Sequence, residues 1–243
     1  MAVFIVWRLS WAILSIVAMS AMLFFSVAGL LGTPAAILLG NEITAESLAE
    51  LNRALGFNRS LFVQYFEWVG NVLTGNFGQS YMTKQPVLEM ILPRIPVTME
   101  IGLLAIAVAT VTSVLANTIP SGKQYVRPLV DAVSIAGITL PNFIIGTFLI
   151  YLFAVYFGVL PALGWAPWSE GIGNHFYHIT LPVLTLSFYA FGSTTLVYRA
   201  EFDKMSSQPF VRIARAKGLS RWVVAFKHVM PNSVLPVDRK SVV

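Results

Sequence analysis

The stretch YRAEFDKMSSQPFVRIARAKGLSRWVVAFKHVMPNSVLPV (Tyr198–Val237) decides how this chain is organised. We call it the basic segment, because it contains seven of the sixteen Lys and Arg residues. It is also the longest segment after the first hundred residues that does not resemble a membrane span. The hydrophobic segments that follow residue 96 place it on one side of a bilayer.

The first half of the basic segment predicts a short amphipathic helix. Ser206 or Ser207 is suited to cap its N-terminus, and Pro209 falls in the first turn, where a missing N–H has no consequence. Gly218 follows the last turn as a C′ glycine, and the basic residues before it suit the helix dipole. One apolar stripe at i, i+3 and i+4 is formed by Phe210, Ile213 and Ala214.

The second half predicts another short helix. Ser220 is placed to cap it, and the helix should run over Arg221–Val229. We expect it to stop before Pro231, because proline inside a helix removes a hydrogen bond. The whole pattern is therefore helix, glycine, helix.

The composition is that of a membrane protein. Hydrophobic residues make up 56% of the 243 positions, charged residues make up 11%, and the mean hydropathy is +0.73. A soluble domain has about 25% charged residues. The absence of cysteine excludes disulfides, thiol catalysis and cysteine metal sites. The net charge of +5 fits basic cytoplasmic loops better than nucleic-acid binding, because no basic stretch lies outside the loops.

Four hydrophobic segments are long enough to cross a bilayer. The first, Leu9–Leu31, exceeds the hydrophobic part of a cleaved signal peptide, so we favour a retained span over a signal peptide. The others are Val97–Ile119, Val133–Phe157 with a kink at Pro141, and Ile179–Tyr198 with Pro182 in its first turn. A short loop is expected over Pro120–Pro128.

The polar segment 32–96 contains two predicted helices. Ile43–Gly56 has the pattern of an amphipathic helix capped by Thr44, and Ser60–Gly75 that of a second helix capped by Ser60. The second is rich in aromatic residues. An interfacial helix lying on the membrane and a packed extracytoplasmic subdomain both explain this pattern.

The distribution of basic residues predicts the orientation. Segments 1–8, 120–132 and 199–237 contain Lys and Arg, whereas 158–178 contains none. Segment 32–96 is long, so its charges carry less weight. We therefore expect the N-terminus and the basic segment inside, with 32–96 and 158–178 outside.

Three ionisable residues near the predicted spans require interpretation. Glu100 fits an interfacial carboxylate better than a buried proton or ion site. His175 and His178 are three positions apart, but we expect them to lack the carboxylate or cysteine partner that a metal site would need. We predict no metal here and no cofactor for the chain.

Three blocks of sequence, in order, resemble the permease subunits of dipeptide/oligopeptide/nickel ABC importers. ARAKGLS (Ala214–Ser220), followed by His228, Asn232 and Pro236, is similar to the EAA-type cytoplasmic loop of that family. The other blocks are LGFNRSLFVQYFEWVGNVLTGNFGQSY (Leu55–Tyr81) and DAVSIAGITLPNFIIG (Asp131–Gly146) with LPALGW (Leu160–Trp165). The resemblance covers about residues 7–237. Asn76 and Asn58–Ser60 depart from the family pattern, and neither lies in the loop.

The resemblance implies an all-α, polytopic fold of the type I ABC importer permease with six spans. This chain supplies four: residues 1–31 with the first span, an extracytoplasmic segment 32–96, and a core 97–237 that includes the loop 199–235. A fifth span should begin near Asn232–Pro236, but DRKSVV (Asp238–Val243) is charged. It matches one reading frame of a common sequencing adapter, so we interpret 238–243 as a foreign tail on a truncated chain. The alternative is a four-span protein with a short basic tail.

The resemblance also implies the function and the partners. The chain would be a transport subunit without a catalytic site, in a bacterial or archaeal inner membrane, importing peptides, nickel, glutathione or another small solute. Its partners would be a second homologous permease subunit, two ABC ATPase subunits, an extracytoplasmic substrate-binding protein and membrane lipid, with no nucleic acid. The residues that we assign to the ATPase-coupling loop are Phe210, Arg212, Ile213, Ala214, Arg215, Ala216, Lys217, Gly218, His228, Asn232 and Pro236.

Three other functions are compatible with parts of the sequence. The basic segment could be an amphipathic helix lying on anionic lipid. A membrane-embedded enzyme would need several ionisable residues within its spans, and only Glu100 is near one. A self-contained channel or carrier would have no need of a basic helix–glycine–helix segment.

Overall fold

The structure, a computed structural model, describes residues 2–31, 44–54, 56–119 and 123–234. The described residues are mostly helical, and the β-type pairing among them is an isolated bridge between Gln79 and Pro86. They form two compact units, Met1–Ile95 and Pro96–Val243. Pro236, the expected start of a fifth span and the tail 238–243 lie outside the described residues.

The described residues of the first unit contain four helices that lie wholly within it. They are α1 (Ala2–Leu31), α2 (Ala45–Ala54), α3 (Leu61–Leu73) and α4 (Val87–Ile91). Helix α1 begins at Ala2 rather than at Leu9, so Arg8 lies inside it, 4.9 Å from the centre of the Phe4 ring. Because α1 is apolar on all sides, it has the character of a membrane span.

The two short helices predicted in this unit are confirmed with their caps. The Thr44 hydroxyl accepts from the Ser47 N–H at 3.1 Å, and the Ser60 hydroxyl accepts from the Val63 N–H at 3.5 Å. Gly56 and Gly75, the predicted stops, have φ of 76° and 83°. Left-handed backbone of this kind favours glycine, which explains why both helices end there.

Helix α3 packs against α1 through aromatic side chains, of which Tyr65 is the buried one. Tyr65 is buried, and its hydroxyl lies 2.9 Å from the Ser20 hydroxyl and 3.3 Å from the Val17 carbonyl. Phe62 and Phe66 stay exposed. Helix α3 therefore has both predicted properties, a packed face and an apolar face of the kind that suits a membrane interface.

The second unit contains the remaining helices. The first are α5 (Arg94–Thr118), α6 (Lys123–Thr139) and α7 (Asn142–Leu149), which has a π-helical extension (Ile150–Tyr156). A 3₁₀ turn (Trp168–Glu170), α8 (Ile172–Ser206) and α9 (Pro209–Ala216) follow. The last is α10 (Arg221–Val223), which continues as a π-helical turn (Val224–Val229) and helical residues 230–234. Residues 123–128, predicted to lie in a loop, are helical.

The kink predicted at Pro141 within Val133–Phe157 is a sharp bend between two helices. Helices α6 and α7 form a bent pair whose axes differ by 114°. Pro141 is the N-cap of α7. Proline lacks an N–H and disfavours helical geometry in the residue before it, so α6 cannot continue through Leu140 and Pro141.

Helix α8 is the central element of the second unit. It starts at Ile172 rather than Ile179 and ends at Ser206 rather than Tyr198, so Pro182 lies inside the helix and not in its first turn. It packs against α6 and α7, and its residues Ile179 and Val183 meet Ala105 of α5 in a small core.

Helices α6 and α8 approach each other at backbone distance. A Cβ added to Gly137 would lie 2.4 Å from the Phe188 carbonyl oxygen, and one added to Gly192 would lie 2.5 Å from the Ser134 carbonyl oxygen. Only glycine fits at both positions. Small residues at a crossing of apolar helices permit this close contact, which maximises van der Waals packing.

Two ion pairs join the same helices further along. Arg127 of α6 pairs with Asp203 of α8, and Asp131 of α6 pairs with Arg199 of α8. Each helix carries a cation and, four residues later, an anion. We call these four residues the charge ladder.

Within the part of the chain that the structure describes, three helical stretches are long and apolar enough to cross a membrane: Val3–Leu30, Val87–Thr118 and Ile172–Ser206. The bent pair adds a fourth if it crosses once. The alternative is a re-entrant pair that returns to the side from which it came. The lack of Lys and Arg in 158–178 favours one crossing.

We expect cysteine labelling to place the two ends of α8 on opposite sides of the membrane. The chain has no cysteine, so Ser169→Cys and Lys217→Cys each provide one thiol at an exposed position. A membrane-impermeant maleimide should label position 169 in intact cells and position 217 only after permeabilisation. The opposite pattern would show that the bent pair is re-entrant.

Candidate functional site

Helix α9, the first helix that lies wholly within the basic segment, begins one residue later than a cap at Ser207 would place it. Helix α8 extends to Ser206, and Ser207 serves as its C-cap, so neither serine caps α9. The N-cap of α9 is Gln208, without a side-chain hydrogen bond, and Pro209 is the first helical residue as predicted. The long preceding helix therefore displaces the predicted serine cap.

Helix α9 ends in a Schellman motif, as the glycine predicted. The Gly218 N–H donates to the Arg215 carbonyl at 3.0 Å, and the Leu219 N–H donates to the Ala214 carbonyl at 3.3 Å. Gly218 has φ of 80°. These bonds fix the angle at which the chain leaves α9.

The second helix starts as predicted and ends later. The Ser220 hydroxyl accepts from the Val223 N–H at 3.3 Å, but the chain remains helical through residue 234, so the expected stop before Pro231 is wrong. The π-helical turn Val224–Val229 precedes the proline. Its wider spacing makes room for a ring that would otherwise clash with the carbonyl four residues earlier.

Helix α9 has two apolar faces, and the sequence predicted only one stripe. Its inner face, Val211 and Ala214, is buried in a cluster with Tyr198 and Phe202 of α8. The same cluster includes Val224, Ala225 and Val229. The assignment of Ala214 to an outward-facing stripe is therefore wrong, because its side chain fills the core of this unit.

The outer face of α9 presents two apolar side chains among cations. Phe210 is 38% exposed and Ile213 is 57% exposed. The basic side chains Arg212, Arg215 and Lys217 are also exposed, as is Ala216. This face combines apolar area with positive charge on a helix whose other side is fixed by the core.

The remaining predicted residues lie beyond the π-helical turn. His228 is half-buried, and its carbonyl accepts from the Asn232 side-chain amide at 2.8 Å. Asn232 is exposed. Both residues come after α9 in the chain, so neither belongs to the helix that carries the outer face. Pro236 lies outside the described residues.

Hydroxyl groups join α8 to α5 next to the start of the basic segment. The Thr195 hydroxyl donates to the Ser113 hydroxyl at 3.0 Å, and the Tyr198 and Thr118 hydroxyls share a hydrogen bond. All four residues are buried. Since buried polar groups are costly when unpaired, these contacts favour one alignment of α8 on α5.

Glu100, which the sequence predicts to be an interfacial carboxylate, pairs with a histidine. Its Oε1 lies 2.8 Å from Nε2 of His175, whose side chain is fully buried. Nδ1 of His175 lies 2.7 Å from the Ala166 carbonyl, and the Trp168 ring stacks on the imidazole at 3.9 Å. His178 is not part of this cluster, because its Nδ1 bonds to the Asn174 carbonyl.

The hydrogen bonds of His175 determine how many protons the pair holds. A carbonyl only accepts, so Nδ1 carries a proton. The contact between Nε2 and the carboxyl oxygen needs one more, held either by the imidazole or by Glu100. The arrangement is therefore an imidazolium–carboxylate pair or a neutral imidazole–carboxylic acid pair. In either form it ties the 160–171 loop to α5 and α8.

Two comparisons with known families cover most of the chain. Residues 109–237 match the binding-protein-dependent transport system inner membrane component, and residues 1–102 match the N-terminal membrane component of such systems. The chain belongs to this family. It is a membrane permease subunit of an ABC importer, a multi-pass membrane protein of a generally non-catalytic family that works with an ATPase and a substrate-binding protein.

Several proteins named as permeases are similar over most of their length. The dipeptide transport system permease protein DppB of Lactococcus lactis is 32% identical over 98% of this chain and 76% of that protein. A probable peptide ABC transporter permease, y4tP of Sinorhizobium fredii, is 31% identical over 85% and 66%. The glutathione transport system permease protein GsiC of Escherichia coli K12 is 29% identical over 96% and 74%.

Three features of this permease were not predicted from its sequence. Val211 was overlooked because two overlapping i, i+3 stripes exist in α9 and the sequence does not show which one is buried. The charge ladder had a visible signal, since opposite charges four apart occur on both helices. The partnership of Glu100 with His175 had none, because 75 residues separate them.

Removing the Glu100 carboxyl should destabilise the permease. Glu100→Leu leaves Nε2 of His175 buried without a partner, which costs about 1–3 kcal/mol. Glu100→Gln is the matched control, because its amide can still donate to neutral Nε2. We expect a lower midpoint of thermal unfolding in detergent for the Leu variant than for the Gln variant. Equal midpoints would show that this hydrogen bond contributes nothing.

Substitution of Gly218 should destabilise the permease through backbone strain alone. Nothing lies within 4 Å of a Cβ added there, but φ is 80°. Gly218→Ala should therefore cost about 1–2 kcal/mol and lower the unfolding midpoint by about 2–8 °C. Gly102→Ala is the control, since Gly102 is helical with equally open surroundings. An unchanged midpoint for Gly218→Ala would contradict the strain argument.

Proposed function

We propose that the basic segment is the element through which this permease engages its ATPase. The observation that supports this is the division of α9 into a buried inner face and an exposed outer face with Phe210 and Ile213. A helix fixed on one side by a core can pass a force to the rest of the protein. A helix lying on lipid would not need that attachment.

The outer face has the composition of a small docking surface. Complete burial of a Phe or Ile side chain contributes about 1.5–3 kcal/mol, and only the exposed fraction remains to be gained here. The surrounding arginines and lysine favour a groove with acidic groups at its rim, since charges at an interface edge mainly guide association. Aromatic anchors ringed by polar groups are typical of interface hot spots.

The proposed mechanism is rigid-body transmission. ATP-driven closure of the ATPase pair moves α9, and the buried cluster carries that motion into α8. Helix α8 contacts α6 and α7, so the membrane helices shift between inward-open and outward-open states. The chain supplies no residue to ATP hydrolysis in this scheme.

We further propose that the cargo is a short peptide or a related small solute. DppB transports dipeptides by its name, y4tP is named a probable peptide permease, and GsiC is named for glutathione, itself peptide-like. The assembly would contain a second homologous permease subunit, two ATPase subunits and one extracytoplasmic binding protein in a bacterial or archaeal inner membrane.

Truncation of the outer face should weaken ATPase binding. The double variant Phe210→Ala/Ile213→Ala removes the exposed apolar area while leaving Val211 and Ala214 in the core. We expect the ATPase retained on the purified permease complex to fall by roughly tenfold or more, equivalent to about 1.4 kcal/mol. Co-purification of the ATPase with tagged permease measures this directly.

Leu163→Ala is the matched control, because Leu163 is a highly exposed apolar residue in the segment predicted to lie outside. It should retain the ATPase fully. If the Phe210/Ile213 variant also retained the ATPase, the outer face would not be the docking surface, and a helix lying on anionic lipid would be the preferred interpretation of the basic segment.

A further inference from the structure

The charge ladder joins two helices with different tasks in the proposed mechanism. The last residues of α8 belong to the basic segment, and α6 is the first helix of the bent pair. Arg127 and Asp131 lie one turn apart on α6, as do Arg199 and Asp203 on α8, and the pairing is reciprocal. The first residue of one helix meets the second of the other, as in an antiparallel arrangement.

This arrangement is specific for one register of the two helices. A slide of α8 along α6 by one turn, about 5.4 Å, exchanges the partners. In one direction Arg127 meets Arg199, and in the other Asp131 meets Asp203. Both displaced registers place like charges together, which disfavours them in addition to losing the two attractive pairs.

The surroundings of the ladder strengthen this discrimination. Arg199 is the least exposed of the four, at 17%, so solvent screens its pair with Asp131 less than a surface pair. Towards α5 the ladder faces uncharged residues, namely Ala116, Asn117 and Ile119. The next charge on α8, Lys204, is paired with Glu201.

The glycine contacts favour the same register by a different physical effect. At Gly137 and Gly192 the helices touch through backbone, so a slide of one turn would bring residues with side chains to a contact that only glycine fits. The ladder is the part of the α6–α8 contact whose electrostatic interaction changes from attractive to repulsive when the helices slide.

We propose that the charge ladder is a register lock that makes α6 and the basic segment move as one body during the transport cycle. Arg127, Asp131, Arg199 and Asp203 are then positioning residues for coupling, although none contacts the ATPase or the cargo. This inference rests on the proposed role of the basic segment as the transmission element.

Charge exchange tests the lock. The variants are Arg199→Asp, Asp131→Arg and the fully exchanged variant Arg127→Asp/Asp131→Arg/Arg199→Asp/Asp203→Arg, which inverts every charge and keeps the sign pattern of the ladder. Each is measured in the complete importer reconstituted with its ATPase and binding protein. Uptake of radiolabelled dialanine per ATP hydrolysed in proteoliposomes is the measured ratio. Each single variant should lower this ratio by roughly threefold or more, and the exchanged variant should restore it to within about twofold of wild type.

Two further variants keep the result interpretable. Arg59→Asp is the control, because it breaks another exposed ion pair, with Glu67, in the first unit; its ratio should equal that of wild type. The neutral pair Arg199→Gln/Asp131→Asn has no like-charge repulsion and should assemble with a lowered ratio. If the single reversals fail to assemble, the neutral pair decides, and a wild-type ratio there overturns the lock.

The outcomes separate this inference from the function on which it rests. ATPase retention reports docking by the outer face, whereas the uptake ratio at full retention reports the lock. Single reversals with wild-type ratios, or an exchanged variant that stays impaired, would overturn the lock while leaving the docking proposal intact. Loss of ATPase binding on Phe210→Ala/Ile213→Ala supports docking whichever result the ladder gives.

Discussion

The second unit depends on the contact of α8 with α6, where Gly137 and Gly192 let the two backbones meet. Any side chain at either position would force the helices apart. Helix α8 also makes hydroxyl pairs with α5 and ion pairs with α6. Both kinds of contact need side chains that lie within hydrogen-bonding range. The polar contacts therefore presuppose the glycine crossing, because the short reach of a hydroxyl or carboxylate leaves little tolerance for a wider separation.

The same helix connects the apolar core of the second unit to its exposed basic surface. Tyr198 and Phe202 of α8 pack with Val211 of α9 and Val229 of the π-helical turn. This cluster makes the basic segment a folded extension of α8 rather than a loose connection. Its exposed side, with Phe210 and Ile213, is left available, which is an unusual use of apolar area in a short surface helix.

Local signals in the sequence predicted much of this fold. The caps at Thr44, Ser60 and Ser220 and the helix end at Gly218 depend on neighbouring residues, and the structure confirms each. Features that depend on distant residues were predicted poorly. The 114° bend at Pro141 was expected as a kink, because a proline shows where a helix breaks but not how far the chain turns.

The candidate site shows the same limit. Its composition and its helix–glycine–helix form followed from the sequence, whereas the burial of Ala214 did not. In an eight-residue helix, two apolar stripes one residue apart are equally periodic, and the partner helix decides which is buried. Likewise, Glu100 and His175 are each unremarkable in the sequence, and only folding brings them to 2.8 Å.

The pairing of Glu100 with His175 has an electrical consequence. Whether the shared proton resides on the imidazole or on the carboxyl group, the pair as a whole carries no net charge. A transmembrane voltage does work in proportion to the net charge that it moves, so it exerts no net force on this pair. The permease can thus keep two ionisable groups next to its apolar helices without making their position sensitive to the energised state of the membrane.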